Sequence, residues 1–587
     1  MSSPSTDPET PATPLEYKDE QSQPRAHGAG FRDSEDAVGL PHNNMFVVMT
    51  GLAITMFLAS LDNTIVTTAL PTITAELHGT ASDYSWTGVS YMLCSGAFIP
   101  LWGKLSDVLG RKARKPLIFV SIGLKFHAQA ILYPCIALFL LGSGLCGAAT
   151  SMPFLIACRA VQGVGGGGVV VMVQVVLSDI VSLRDRGKYS SVIGGCWGIA
   201  SVLGPLLGGI VTEKASWRWC FWLNLPTGGV AAIMLLFVNV NPVRKLTFAE
   251  FLEKFDFLGI FLLMTGTGTL LAGFSIAADN GWNEPATIGL IVAGPVLLAL
   301  AAVVESRTTR MAIIPPRLLK TRTTLSLFGL CFFHGMAFMC TNFYLPVVFQ
   351  GVDGDSALLS GIKLFPVALG GSLTTIVVGP LVTATKRTRP FIWGGSALMT
   401  LGAGLLISLS ETSGLGMELG FTLVQGLGTG FLFQPPLIAL QAAMPLKDMA
   451  ACTGAFYLVR TLGTTLGVSL GGVVFQSQLA ARLRAIPALA GTTTQARILQ
   501  GDYKDIARIV PAELRREVVR ALSRSLRTVF VVLTPVSGAV FLLSLLVRHY
   551  SLERNFVQKA RPVSEEAAPQ IDIVDEKDSE KADEEKK

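Results

Sequence analysis

The chain is short of charge, of metal-binding patterns and of catalytic signatures. Only 15% of its 587 residues are charged, where soluble globular chains carry about 25%. With 50% hydrophobic residues and a mean hydropathy of +0.52, that shortage excludes an ordinary soluble domain. The nine cysteines form no CxxC pair and have no His at ligand spacing. Cys94, Cys146, Cys158, Cys196, Cys331, Cys340 and Cys452 lie singly in apolar segments and read as small buried hydrophobes. No catalytic triad, metal cluster or phosphate loop is present, so neither enzyme activity nor a cofactor is expected. The apolar runs are continuous rather than alternating, which excludes a closed β-barrel. The net charge of +6 is spread over loops and does not point to nucleic acid. The first residues lack an apolar signal-peptide core. Residues 1–44 and 551–587 are rich in charged and small polar residues and read as disordered cytosolic tails.

What remains is a series of apolar runs joined by short polar links. A membrane-crossing helix needs about 20 apolar residues, and fourteen runs approach or exceed that. They lie at 45–70, 86–103, 116–149, 152–180, 189–211, 219–240, 257–277 and 286–304, then at 323–349, 357–384, 391–409, 415–441, 451–476 and 528–547. The expected fold class is an all-α polytopic membrane protein. An even count places both termini on one side, and Lys and Arg choose that side. With the N-terminus inside, the inner loops hold twenty basic residues, from Lys104, Arg111, Lys112, Arg114 and Lys115 to Lys447. The short outer loops hold only Lys214 and Arg218. Both termini are therefore expected in the cytoplasm.

Two stretches depart from this pattern. Run 116–149 is too long for one crossing and contains Lys125, His127 and Pro134. Removing Gly123 to Ile136 leaves a clean span, so those residues read as an insertion, from a retained intron or a misassigned gene boundary. The alternative is a charged pore lining at Lys125 and His127. Residues 477–527 form a long outer loop, and Leu514, Val518, Leu522 and Leu526 recur every four residues behind Pro511. That spacing predicts an amphipathic helix on the membrane surface, leading into the last span.

Polar groups inside the apolar runs are the functional candidates. Asp62 lies in the first run, where a charge costs about 2.5–3.5 kcal/mol on insertion scales. Arg159 lies in the fourth. The first and fourth runs cross in opposite directions, which places both residues near the outer side at similar depth. Such a pair shares the desolvation cost and keeps Asp62 ionised until something displaces it. Gln162, Gln434 and Arg460 are further candidates along a substrate path, Arg460 because a lone charge in the thirteenth run needs a partner. Gln174, Gln425, Gln441 and His334 read as helix-joining or packing residues.

Three motifs accompany these residues. Gly103-Lys104-Leu105-Ser106-Asp107-Val108-Leu109-Gly110-Arg111 follows the second run, where Gly103 and Gly110 permit a tight turn, Asp107 can accept from a helix N-terminus and Arg111 belongs to a basic anchor. Arg159 to Gly168 places a glycine run in the fourth segment, which allows close helix packing. Gly198 to Gly209 contains Gly204-Pro205-Leu206-Leu207-Gly208-Gly209, a smooth face with a site for a bend.

With Leu61-Asp62-Asn63-Thr64-Ile65-Val66 through Pro71, Trp217 to Pro226 and Gln434-Pro435-Pro436, these motifs resemble the major facilitator superfamily, in its fourteen-span drug:proton antiporter branch. The resemblance covers about residues 45–550. It implies a major facilitator fold: an N-terminal six-helix bundle at 45–240, two extra helices within a linker at 241–322, and a C-terminal six-helix bundle at 323–550 that includes the 477–527 loop. It also implies a signature turn at Gly103, Asp107, Gly110 and Arg111, an antiporter motif at Gly198, Gly204, Pro205, Gly208 and Gly209, and proton coupling through Asp62 and Arg159. The implied activity is efflux of a small organic toxin or secondary metabolite across the cell membrane, by a monomer that exchanges substrate for protons within the lipid. Transport of basic amino acids or iron chelates, at the vacuolar or plasma membrane, is the alternative. A sensor built on a transporter scaffold is a second one.

Overall fold

The computed structural model describes residues 43–552, apart from 80, 110–130, 237–252, 254, 309, 311–313, 315, 356, 445–447, 490–491, 500–505 and 507–508. Within those bounds every regular element is a helix. The first half contains α1 (Met45–Glu76), α2 (Ala81–Leu109), α3 (Leu132–Gly147), α4 (Met152–Ile180), α5 (Arg186–Lys214), α6 (Trp219–Trp222) and α7 (Asn224–Leu235). A hairpin follows, α8 (Phe257–Asn280) and α9 (Pro285–Arg307). The second half contains α10 (Arg322–Val347), α11 (Ala357–Lys363), α12 (Phe365–Thr385), α13 (Arg389–Leu406) and α14 (Leu415–Phe431). It is completed by α15 (Pro435–Ala442), α16 (Met449–Arg484), α17 (Thr493–Leu499) and α18 (Ala512–Leu545).

Every expected span is at least partly occupied by helix. Among the described residues, nine helices are long and apolar enough to cross a membrane, and Leu132–Gly147 and Trp219–Leu235 are shorter apolar helices. In a hydrocarbon layer a helix is favoured because it satisfies its backbone polar groups internally. The lipid-facing side is plainest on α9, where Ile288, Val292, Val296, Leu300 and Val303 form an exposed apolar stripe. That helix packs on α8, with Gly294 held against the backbone of Leu270. In turn α8 packs on α2 and α16, so the hairpin docks where the two halves meet.

The halves touch chiefly through two helix pairs, α2 with α16 and α5 with α12, with smaller contacts of α4 with α16 and α5 with α15. Small residues set both contacts. A Cβ on Gly103 would lie 3.5 Å from the Gly454 Cα, and one on Gly96 2.8 Å from the Thr461 methyl. Along α5, Gly187 meets Gly379, Gly194 meets Thr375 and Gly198 meets Ser372. Beyond Gly198, Leu203, Leu206 and Ile210 of α5 are exposed. The halves are thus closed together along the N-terminal part of α5 and the C-terminal part of α2.

Three expectations change. The first concerns Gly103, which does not open a turn: α2 continues to Leu109, and the glycine serves close approach to α16 instead. The second concerns the proposed insertion. Leu132 to Ile136 belong to α3, and Leu132, Cys135 and Ile136 are buried in the core. The Cys135 carbonyl presses on Gly165 of α4, so removing these residues would delete the first turn of a packed helix. Residues 123–130, with Lys125 and His127, lie outside the described residues. The third concerns the outer loop. The Val518, Leu522 and Leu526 stripe is buried against Leu483, Leu489, Ile498 and Ile509 rather than laid on a membrane surface. Its helix is continuous with the last span as α18. The two terminal tails, 1–42 and 553–587, lie outside the described residues.

Candidate functional site

The glycine run of α4 builds the site. Its missing side chains let α2 and α3 press backbone to backbone on α4: Gly163 meets Tyr91, Gly165 meets Cys135 and Phe139, and Gly167 meets Ser95. One turn earlier, Arg159 and Gln162 are thereby wedged between neighbouring helices with no route to the lipid. Opposite them, α1 carries Asp62, which is 0% exposed, while Arg159 is 3% exposed.

Arg159 Nη1 lies 2.6 Å from Asp62 Oδ2, an ion pair sealed inside the first half. Gln162 Nε2 donates to Asp62 Oδ1 at 2.8 Å, and Asn224 Nδ2 donates to the same oxygen at 3.1 Å. Arg159 Nη1 also donates to Gln162 Oε1 at 2.7 Å, and its Nε donates to the Thr87 carbonyl at 3.3 Å. The guanidinium lies 4.4 Å from the centre of the Tyr91 ring, a cation–π contact. Asn224 is itself held by donation to Ser143 Oγ at 2.8 Å, and Ser143 donates to the Phe221 carbonyl at 2.8 Å. All of Asp62's partners donate, which is how a buried carboxylate shares its charge. Breaking one such partner in a dry site is far costlier than the net worth of the pair.

In this conformer Gln162, expected along a substrate path, belongs to the ion pair. Both ends of its amide are committed to the ion pair. The sequence offered no signal for Ser143, Thr87 or Tyr91. Asn224 alone carried a hint, a neutral amide inside the apolar run before Leu225-Pro226.

The other candidates lie elsewhere. Gly198 packs directly on Ser372 of α12, and Gly204 packs on Thr64 of α1, whose hydroxyl donates to the Ala200 carbonyl at 3.0 Å. The helix runs unbroken through position 205; Gly208 is buried, and Gly209 faces open space. Gly103 is at the α2–α16 contact, whereas the Asp107 side chain, Gly110 and Arg111 lie outside the described residues. Gln434 is buried at the start of α15, with its Nε2 beside Gly194 of α5. Arg460 on α16 stacks 4.3 Å above the Phe433 ring. Near them a cavity of about 60 Å³ opens between the halves, lined by Trp197 of the first half and by Phe338, Asn342 and Phe433 of the second.

A second network joins the halves at their closed end. Arg186 of α5 donates to Gln441 Oε1 of α15 at 2.8 Å, and Gln441 Nε2 donates to Thr453 Oγ1 of α16 at 2.9 Å. Among the described residues, no group of three His, Cys, Asp or Glu is placed to hold a metal ion. All nine cysteines are free thiols.

A closed two-half bundle of apolar helices, with a buried charge pair and a cavity at the seam, defines a membrane transporter. The sequence profile of the Major Facilitator Superfamily matches residues 52–468, and the chain belongs to that family. An uncharacterized transporter of Schizosaccharomyces pombe is 37% identical over 90% of this chain and 85% of its own. The efflux pump dotC of Dothistroma septosporum is 35% identical over 81% of each chain. The MFS-type efflux pump LUC4 of a Fusarium species is 33% identical over 89% of this chain and 90% of its own. The crystal structure of the human organic anion transporter MFSD10 superimposes with a TM-score of 0.54 at 15% identity. It covers 86% of this chain and all of that one, and shows the shared fold.

Proposed function

We propose that this transporter exports a small organic toxin or secondary metabolite across the plasma membrane in exchange for protons, by alternating access. The observation that carries this reading is the sealed Asp62–Arg159 pair with its Gln162 and Asn224 donors. The dotC and LUC4 relatives, both named as efflux pumps, support the outward direction. The basic asymmetry of the loops supports an orientation with the Arg186–Gln441 end and both termini on the cytoplasmic side. In that orientation the conformer is closed inside.

The cycle uses this chain's own groups. A proton from outside neutralises Asp62 and releases Arg159 from its counter-charge. The helices α1, α2 and α4 that the pair held together then shift, and the inner contacts of α2–α16 and α5–α12 part. Substrate enters from the cytoplasm as the proton leaves, and the pair re-forms. Rocking of the halves about a midplane site is the general scheme of such folds. Each pH unit supplies about 1.4 kcal/mol per proton. Two units hold a neutral substrate about a hundredfold out of balance at one proton per substrate. The protein acts as a monomer. A deletion strain tests direction: loss of an exporter raises cellular substrate and toxin sensitivity, and loss of an importer lowers the first.

A further inference from the structure

The two intramembrane arginines differ in their company. Arg159 has Asp62, while Arg460 makes no hydrogen bond or ion pair among the described residues; it lies on the face of Phe433, with Tyr457, Cys331 and His334 nearby. Arg460 keeps part of its surface open. It stands about three turns from the start of α16, and His334 about three turns from the start of α10, so both are near mid-depth. The His334 Nε2 atom is buried without a hydrogen-bond partner among the described residues. His334, Phe338 and Phe433 form one aromatic cluster, with His334 5.5 Å and Phe338 5.1 Å from the Phe433 ring, both edge-on. Phe338 and Phe433 also line the cavity between the halves.

We infer that Arg460 is the substrate's anion-recognition residue and that the transported compounds are aromatic or otherwise planar organic anions. The aromatic cluster receives the ring and Arg460 the carboxylate or phenolate. A guanidinium suits this task, because its planar fork grips a carboxylate through two hydrogen bonds and its weak hydration tolerates an aromatic bed. A cation left unpaired in a membrane protein is costly, and a counter-ion arriving with the substrate removes that cost. This inference rests on the transport reading above, but it needs no proton coupling.

The test uses the purified full chain in detergent at neutral pH, with no gradient, and three matched probes: 2-naphthoate, 2-naphthamide and 2-naphthylmethylammonium. The expected result is binding of 2-naphthoate at least about tenfold tighter than the amide, with the ammonium weakest. Arg460→Gln is expected to abolish the preference and Arg460→Lys to keep part of it. The order of the three probes on the unmodified protein decides the matter even if Arg460→Gln does not fold. Absence of 2-naphthoate binding, a preference for the ammonium, or a folded Arg460→Gln that still prefers 2-naphthoate would overturn the inference. Failure of proton coupling would leave this binding order unchanged, and loss of the order would leave proton-driven transport of other compounds intact.

Discussion

Gly187 of α5 and Gly379 of α12 meet backbone to backbone: a Cβ on Gly187 would lie 2.6 Å from the Gly379 carbonyl oxygen, and the converse contact is closer still. Neither position has a flexible side chain that can yield. Gly379→Ala is therefore expected to cost the closed-inside conformer about 1–3 kcal/mol of overpacking. The variant should populate the inward-open conformer several-fold more. Distance measurement between spin labels on the inner ends of α5 and α12 checks this, and an unchanged distribution would remove these glycines from the gate.

The Asp62–Arg159 pair makes an asymmetric prediction. Arg159→Ala leaves a buried carboxylate without its cation and is expected to destabilise the protein by about 3–5 kcal/mol. Asp62→Asn combined with Arg159→Gln removes both charges and should restore much of that loss. Thermal unfolding in detergent compares the three proteins. If the double variant is no more stable than Arg159→Ala, the charges are not a matched buried pair.

The packed stripe at the start of α18 offers a test of where that segment lies. Leu522 is fully buried in the same cluster as Leu489 and Ile498. Leu522→Ala should cost about 2–5 kcal/mol in this cap. A helix resting on lipid would tolerate the change, because a shortened apolar side chain there leaves no cavity in the protein.

Outside the spans, Asp353 supplies a pH effect. Burial pushes its carboxyl up from the ordinary carboxylate range, Lys363 at 2.9 Å pulls it back, and Glu418 and Asp355 add to the rise. A carboxyl with a raised pKa in the folded protein binds its proton more tightly there than in the unfolded chain. Its contribution is fully present below the unfolded value, near 4, and is lost as pH rises through the folded value. Asp353→Asn should flatten that part of the stability curve on the alkaline side of pH 4. Melting temperatures of both proteins across pH 4 to 7 check it; parallel curves would contradict it.

The charged half of the site was legible because charge is costly in an apolar run. Asp62 and Arg159 stand out from the sequence, and opposite crossing directions put them at one depth. Asn224 and Ser143 did not stand out, since neutral polar groups bond locally within many membrane helices and only the fold shows which carboxylate they reach. Gln162 was visible, but its bridge between Arg159 and Asp62 was not, because its spacing from Arg159 fits a pore lining as well as a bridge. Helix ends were the weakest reading. At Gly103 a glycine that looked like a turn serves a helix crossing instead, and the 512–527 stripe found its apolar partner in residues 479–509, far along a polar loop. The separation of the two arginines, one paired and one lone, was legible in the chain; the aromatic bed of Phe433 beneath Arg460 was not.

The central claim is that Asp62 carries the proton. Reconstituted into vesicles with a transmembrane pH difference, the unmodified protein should move substrate against its gradient and release protons in step. Asp62→Asn should abolish the pH-driven accumulation while leaving substrate exchange at equal pH on both sides intact. Proton-driven accumulation by Asp62→Asn at the rate of the unmodified protein would contradict the account.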